Sequence, residues 1–120
     1  MAALSIEILF ASAVKLYLTE ERAISLSFTS EGISIRFPTT RRLAEYLEVP
    51  HYYILPYFAM MEEQELVTRA ERVGILTTNA GSSRIIRLMK DDYPKESSAI
   101  LGDEIFRDIC ARYLDDANQS

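Results

Sequence analysis

The stretch "TTRRLAEYLEVPHYYI", from Thr39 to Ile54, decides the fold of this chain. Thr39 is a suitable N-cap for a helix that continues to about Leu47. Glu48 and Val49 then form a short turn, and Pro50 opens a second helical segment that extends to about Gln64. The pattern therefore predicts a helix-turn-helix over residues 39–64.

Apolar and small residues predict how these two helices pack. Ala44 is small enough for a close crossing, and Leu43 and Leu47 face the core beside it. The inward stripe of the second helix consists of Ile54, Phe58 and Met61. Leu55, Ala59 and Met60 are then partly exposed, and we expect Tyr53 in the core and Tyr52 at the surface.

Alternating patterns predict a β-hairpin on each side of the helix pair. Apolar and polar residues alternate over residues 23–37, on both sides of Gly32, which suits a tight turn. After the second helix, "LVTRAERVGILTT" and "SRIIRLM" are rich in β-forming residues, with "NAGSS" as the predicted tip of a hairpin over residues 66–89. The sequence leaves open whether the first hairpin extends the sheet of the second or helps to form a dimer.

Helices are predicted at both ends of the chain. The first covers residues 4–18, with a stripe of Leu4, Ile8, Ala11, Val14 and Leu18. The last covers residues 98–116, with a stripe of Leu101, Ile105, Ile109 and Tyr113 after the polar connector "DDYPKESS". Both helices carry more apolar surface than one small core needs, which predicts a homodimer built from them. The expected fold class is α+β, in one domain over residues 1–120.

Composition limits the function. The net charge is −5, which argues against a non-specific nucleic-acid binder. The acidic charge is concentrated in residues 91–120, which hold three Lys/Arg and eight Asp/Glu, whereas most arginines lie in the middle. The apolar N-terminal segment contains Glu7 and Lys15 and is shorter than the ~20 residues of a membrane span, so we expect no membrane association.

The single cysteine, Cys110, excludes an intrachain disulfide and favours a cytoplasmic location. One cysteine and one histidine cannot complete a structural zinc site, and we expect neither a metal nor another cofactor. Cys110 itself is predicted to be a buried packing residue. No motif places a nucleophile or a carboxylate beside His51, so we expect a protein that is not an enzyme.

The residues from Leu43 to Arg69 follow the pattern L-A-x-x-L-x-V-P-x-x-x-I-x-x-x-F-x-x-M-E-E-x-x-L-V-x-R. This pattern resembles the winged helix-turn-helix of bacterial and archaeal transcription regulators, over about residues 40–89. Its general sequence pattern is similar to that of the antibiotic-resistance and arsenic-repressor types of regulator. The segment "VPHYYI" looks more like the family that includes iron–sulfur-sensing repressors. The resemblance implies a three-helix core with a β-wing, here with an extra N-terminal hairpin and a C-terminal helix.

The resemblance also implies a function. A homodimeric transcriptional regulator of this type lays helix 50–64 in the major groove of double-stranded DNA, while its wing, here residues 66–89, contacts the backbone. Pro56 and Ala59 would also face the groove, and Ser82 and Ser83 would lie at the wing tip. The implied DNA-binding residues are Arg41, Arg42, His51, Tyr52, Leu55, Arg84 and Arg87.

Four features depart from the family pattern. Glu48 and Glu65 replace its usual glycines, so each turn is either strained or of another geometry. Pro56 either interrupts the second helix or opens it after a separate turn. The groove-facing set lacks the Arg, Lys, Asn and Gln side chains that usually bond bases. With Cys110 alone, we expect no iron–sulfur cluster.

A second hypothesis follows from the apolar character of helix 50–64. A winged-helix module could use that face to bind another protein and not read DNA.

Overall fold

The computed structural model describes residues 3–114. In this part of the chain the helices are α1 (Ile6–Lys15), α2 (Thr40–Leu47), α3 (His51–Glu63), α4 (Asn79–Asp92), α5 (Pro94–Leu101) and α6 (Asp103–Leu114). The strands are β1 (Leu26–Thr29), β2 (Gly32–Phe37), β3 (Val67–Ala70) and β4 (Gly74–Thr77). The predicted α+β class is confirmed.

The four strands form one antiparallel sheet in the order β1-β2-β4-β3. Leu26 lies opposite Ile35 in the first hairpin, and Val67 lies opposite Thr77 in the second. The two hairpins join where Phe37 of β2 pairs with Ile75 of β4. The first hairpin therefore extends the sheet of the second, which resolves one of the alternatives left open by the sequence.

Three phenylalanines hold the helices on the sheet. The Phe10 ring centroid lies 5.1 Å from that of Phe37, and the Phe37 centroid lies 5.6 Å from that of Phe58. These contacts join α1, β2 and α3 in one hydrophobic core. The predicted inward residues Ile54, Phe58 and Met61 are all buried.

The apolar sides of α1 are covered by other parts of the same chain. Ile6, Leu9, Phe10, Ala13 and Val14 are buried, and α1 packs against α2, α3 and α4. Glu7, Ala11 and Lys15 remain exposed, which makes the open side of the helix largely polar. α1 therefore has no exposed apolar stripe, and nothing on this helix supports the expectation that it contacts a second subunit.

The first helix is also longer than predicted. After Lys15 it continues as a π-helical segment, Leu16–Glu21, which ends at Arg22 in the left-handed region with φ 53°. Leu16 and Leu18 of this segment are buried.

The predicted wing over residues 66–89 is wrong in its second half. The segment that contains "SRIIRLM" is the helix α4, and the hairpin is the shorter β3–β4 pair over residues 67–77. The residues of the supposed tip open the helix, since the Thr78 side chain accepts a hydrogen bond from Gly81 N. Ser82 is buried together with Ile85 and Ile86, three and four residues later, and Met89 repeats the same spacing from them, which is the pattern of a helix and not of a strand.

Side chains at the start of α4 complete the hydrogen bonding of β2. Ile35 N donates to Thr77 Oγ1 at 2.8 Å, Thr77 Oγ1 lies 2.7 Å from Ser82 Oγ, and Ser82 Oγ donates to Ile33 O at 2.7 Å. We call Thr77 and Ser82 the hydroxyl relay. Asn79 adds a second link, because its side-chain oxygen accepts from Ile33 N at 3.1 Å. The relay explains how β2 keeps its buried polar groups satisfied where it has no backbone partner on β4.

Gly81 allows α4 to approach the turn after α3. A Cβ atom at this position would collide with the carbonyl oxygen of Leu66. The same carbonyl accepts from Thr78 N at 3.0 Å, and Thr78 Oγ1 donates to Glu65 O at 2.6 Å. These contacts fix the end of α3 to the beginning of α4.

The C-terminal helix predicted over residues 98–116 is two helices. The predicted connector belongs to the end of α4 and to α5, which begins at Pro94, and Gly102 with φ 94° separates α5 from α6. Residues 115 and 116 lie outside the described residues. The predicted stripe is also wrong at Ile105, which is 56% exposed, whereas Phe106, Ile109 and Leu114 are buried.

Candidate interaction surface

The α2–α3 corner is built as the sequence predicts. The Thr39 side chain accepts from Arg42 N at 3.0 Å and caps α2, and Ala44 is buried at the crossing. Glu48 ends α2 in the left-handed region with φ 59°, so the turn keeps the conformation that favours glycine. Glu65 has the same φ of 59°. Both turns therefore keep the left-handed geometry with a strained glutamate, and the alternative of another turn geometry is wrong.

Helix α3 continues without interruption from His51 to Glu63, and Pro56 lies inside it. The alternative in which Pro56 opens the helix after a separate turn is therefore wrong. Pro56 has no N–H to donate to the carbonyl four residues earlier, that of Tyr52. Both residues are on the exposed side of the helix, where water can reach the released carbonyl.

His51 connects the first turns of α2 and α3. Its Nε2 atom lies 2.7 Å from Thr40 Oγ1, and both residues are half-buried. This hydrogen bond occupies one ring nitrogen of His51, one of the predicted DNA-binding residues, within the chain. It also places the start of α3 beside Arg41, the neighbour of Thr40.

The exposed side of α3 is apolar. We call the exposed residues Tyr52, Tyr53, Leu55, Pro56, Ala59 and Met60 the α3 surface. Tyr52 is 68% exposed, as expected, whereas Tyr53 is 51% exposed and the prediction that it packs in the core is wrong. The two rings lie edge to face with centroids 5.0 Å apart, which is a favourable geometry for an aromatic pair.

Arg41 and Arg42 are adjacent in sequence but differ in their surroundings. Arg42 Nε lies 3.4 Å from Glu21 Oε2, and Arg42 Nη1 lies 3.9 Å from Glu45 Oε1. Arg41 is exposed and forms no ion pair within residues 3–114. Of the two, Arg41 is therefore the more available to an external anion.

The tip of the β3–β4 hairpin carries Arg72, which the sequence did not assign to the wing tip. Arg72 is exposed there in the left-handed region with φ 68°, whereas Arg69 is paired with Glu62 of α3 at 3.1 Å. Arg36 Nη2 donates to Val73 O at 2.7 Å, and this hydrogen bond stabilises the tip of the β3–β4 hairpin. The available signal was Gly74 at the end of "ERVG", between two alternating stretches.

Arg84 and Arg87 lie on the helix α4 and not on the β-wing predicted for them. The Arg84 guanidinium lies 4.0 Å from Glu7 and 5.7 Å from the Phe10 ring centroid, so it packs on α1. Ser82 is buried in the hydroxyl relay, and Ser83 is half-buried beside it. The structure therefore groups Arg41, Tyr52 and Leu55 on the α2–α3 corner and separates them from Arg84 and Arg87.

Cys110 is half-buried, and its burial raises the pKa of the thiol, with Asp91 adding to this effect and Lys90 opposing it. In the described part of the chain, no group of three or more His, Cys, Asp and Glu side chains is arranged to hold a metal ion. No helix in residues 3–114 is long and apolar enough to cross a membrane. Comparisons with protein-family models, with curated proteins and with solved structures gave no match.

Proposed function

We propose that this chain is a winged-helix protein that binds double-stranded DNA as a homodimer and regulates transcription. The observation that carries the proposal is the path of the chain around the α2–α3 corner. Strand β2 enters α2, α3 leads into the β3–β4 hairpin, and β4 returns to pair with β2. This order supports a winged helix in which β3–β4 would be the wing and α3 the recognition helix.

In this proposal, a small set of exposed residues would contact DNA. The start of α3 would enter the major groove, where Leu55 and Tyr52 can contact thymine methyl groups. Arg41 at the start of α2 and Arg72 at the wing tip would bind backbone phosphates on either side of that groove. Arg42 is engaged with Glu21 and Glu45, and His51 is engaged with Thr40, so both would position the corner.

Two double charge reversals test this proposal. Fluorescence anisotropy with mixed genomic fragments at low salt should show binding by the native protein. Arg41→Glu with Arg72→Glu should weaken it at least tenfold, because four phosphate contacts per dimer become repulsive. Arg84→Glu with Arg87→Glu makes the same change in charge on α4 and should leave affinity within about twofold, so it is the matched control.

Two results would contradict DNA binding at this corner. One is the absence of any binding at low salt by a correctly folded protein. The other is an equal loss of affinity in the two double variants, because non-specific attraction would then depend on total charge and not on position.

A second candidate function rests on the apolar α3 surface. Its exposed residues from Tyr52 to Met60 include two tyrosines, a leucine and a methionine but no Arg, Lys, Asn or Gln. Aromatic residues and methionine are enriched in protein interfaces, and base readout normally needs the missing side chains. This candidate replaces the first if the native protein binds no DNA at low salt.

A further inference from the structure

Within residues 3–114, the sheet ends at β1, which has no pairing partner on its outer side. Strand β1 pairs with β2 alone, and Ser25 O accepts from Arg36 N across the hairpin. Because hydrogen-bonded positions alternate along antiparallel strands, Ser27 and Thr29 also face β2, whereas Leu26 and Phe28 direct their N–H and C=O groups outward. The strand contains no charged residue, proline or bulge, which are the usual protections of an exposed edge.

The hydrophobic layer is also open along this edge. Phe28 lies opposite Ile33 on the core-facing side of the sheet, yet it is 57% exposed. It lines a groove of ≈ 570 Å³ with Ile105 and Ile109 of α6. Ile109 is buried and Ile105 is 56% exposed, so the apolar layer continues from the core to solvent.

The charges around the groove favour a partner with the same charges in the reverse order. Glu104 lies at the start of α6, and Arg112 lies near its end. Asp108 lies between them, 3.8 Å from Arg112, in an exposed ion pair that contributes little and leaves Arg112 open to a partner. A uniformly acidic or basic partner would meet like charge at one end of the groove. A second copy related by a two-fold axis places its α6 in the opposite direction, so that its arginine approaches the acidic end.

We propose that the β1 edge and the groove beside it form the homodimer interface of this protein. Two β1 strands pair antiparallel about a two-fold axis and join the two sheets into one of eight strands. Phe28 of each copy covers the open apolar layer of the other. This inference deepens the homodimer of the proposed function, but it uses none of the residues assigned to DNA.

The axis passes beside Ser27. Leu26 of one copy then lies opposite Phe28 of the other, and their outward N–H and C=O groups form four hydrogen bonds. Ser27 faces Ser27 of the second copy in a non-hydrogen-bonded pair, where Cα atoms are about 4.5 Å apart. This separation falls within the range that a disulfide can bridge.

The molar mass in solution tests the interface. Size-exclusion chromatography with light scattering should give twice the mass of one chain for the native protein. Phe28→Glu should raise the dimer dissociation constant on the order of 100-fold, because two apolar side chains per dimer are lost. Tyr52→Glu, which changes an even more exposed aromatic residue on α3, should leave the dimer intact. Circular dichroism would verify that each variant is folded.

A cysteine placed at the axis tests the pairing register. In a Cys110→Ser background, Ser27→Cys should form a disulfide-linked dimer under mild oxidation, and Ser30→Cys at the hairpin turn should not. A native protein that stays monomeric, or a dimer that survives Phe28→Glu, would overturn the proposal, as would equal cross-linking at the two positions. DNA binding is measured with the Arg41 and Arg72 variants, so failure there is distinct from failure here.

Discussion

Glu48 has a backbone conformation that favours glycine. It is exposed, it ends α2 with φ 59°, and its N–H donates to Glu45 O at 3.1 Å. A non-glycine residue in the left-handed region costs roughly 1 kcal/mol or somewhat more. The sequence already indicated this position, because an unfavourable residue stands at a predicted helix end.

Replacing Glu48 should therefore stabilise the protein. We expect Glu48→Gly to raise the free energy of unfolding by about 1 kcal/mol, measured by urea denaturation. Glu45→Gly provides the control, since glycine in the interior of the same helix should lower stability by about 1 kcal/mol. A loss of stability in Glu48→Gly would mean that the turn does not hold the left-handed conformation.

Tyr17 gives stability a dependence on alkaline pH. Burial raises the pKa of its hydroxyl above the ordinary value of 10.0, Glu21 raises it further, and Arg36 opposes the change. The unfolded chain loses this proton first, so the contribution is fully present below about pH 10 and is lost as pH rises further.

Urea denaturation at a series of pH values tests this linkage. Tyr17→Phe should reduce the loss of stability above pH 10.0. Some dependence should remain, because burial and Glu20 also raise the pKa of Tyr46. An unchanged alkaline slope in Tyr17→Phe would show that Tyr17 is not the group responsible.

Among the elements, the junction between β4 and α4 depends on the most specific side-chain hydrogen bonds. The hydroxyl relay lets Thr77 accept from Ile35 N and reach Ser82, and both hydroxyls are buried. Removing one hydroxyl leaves a buried backbone N–H without an acceptor. An unsatisfied buried group of this kind typically costs about 1–3 kcal/mol.

Thr77→Val should therefore destabilise the protein by about 1–3 kcal/mol in thermal or urea unfolding. Thr68→Val on the neighbouring strand β3 is the matched control, because Thr68 is exposed and should tolerate the change with little effect. If the two variants were equally stable, the Thr77 hydroxyl would contribute nothing, and only the packing of the Thr77 methyl group would matter.

The same junction explains why prediction failed in the second half of the expected wing. The first hairpin, α2 and α3 have local signals, namely alternation, a capping threonine and helical spacing. The run "IIRLM" suits a buried strand and a buried helix equally well. The contacts that decide for the helix join Ile33 and Ile35 to Ser82 and Thr77, across 49 and 42 residues, so no local pattern contains them.

The candidate surface was also predictable only where local sequence patterns decide exposure. Exposure of Tyr52 and Leu55 follows from the inward stripe of α3, which local spacing defines. The pairing of Arg42 with Glu21 depends on the π-helical segment after α1, which periodicity did not predict. Arg72 was missed because the hairpin tip was assigned to the wrong glycine-containing segment.

For the whole molecule, the distribution of charge limits the salt dependence of DNA binding. With Arg41 and Arg72 as the phosphate contacts, a dimer makes four, and the slope of log K against log salt should be no steeper than about −4. Anisotropy titrations between roughly 50 and 200 mM salt give this slope. A slope near twice that value would show that arginines assigned here to ion pairs also bind phosphate.

The hydroxyl relay has a consequence for synthesis of the chain on the ribosome. Strand β2 is complete in sequence at Phe37, but its buried N–H and C=O groups at Ile35 and Ile33 receive their partners only from Thr77 and Ser82. A nascent chain that has not yet exposed Ser82 cannot form the native sheet. Residues 26–37 must therefore wait for the segment that ends at Ser82 before the native sheet is complete.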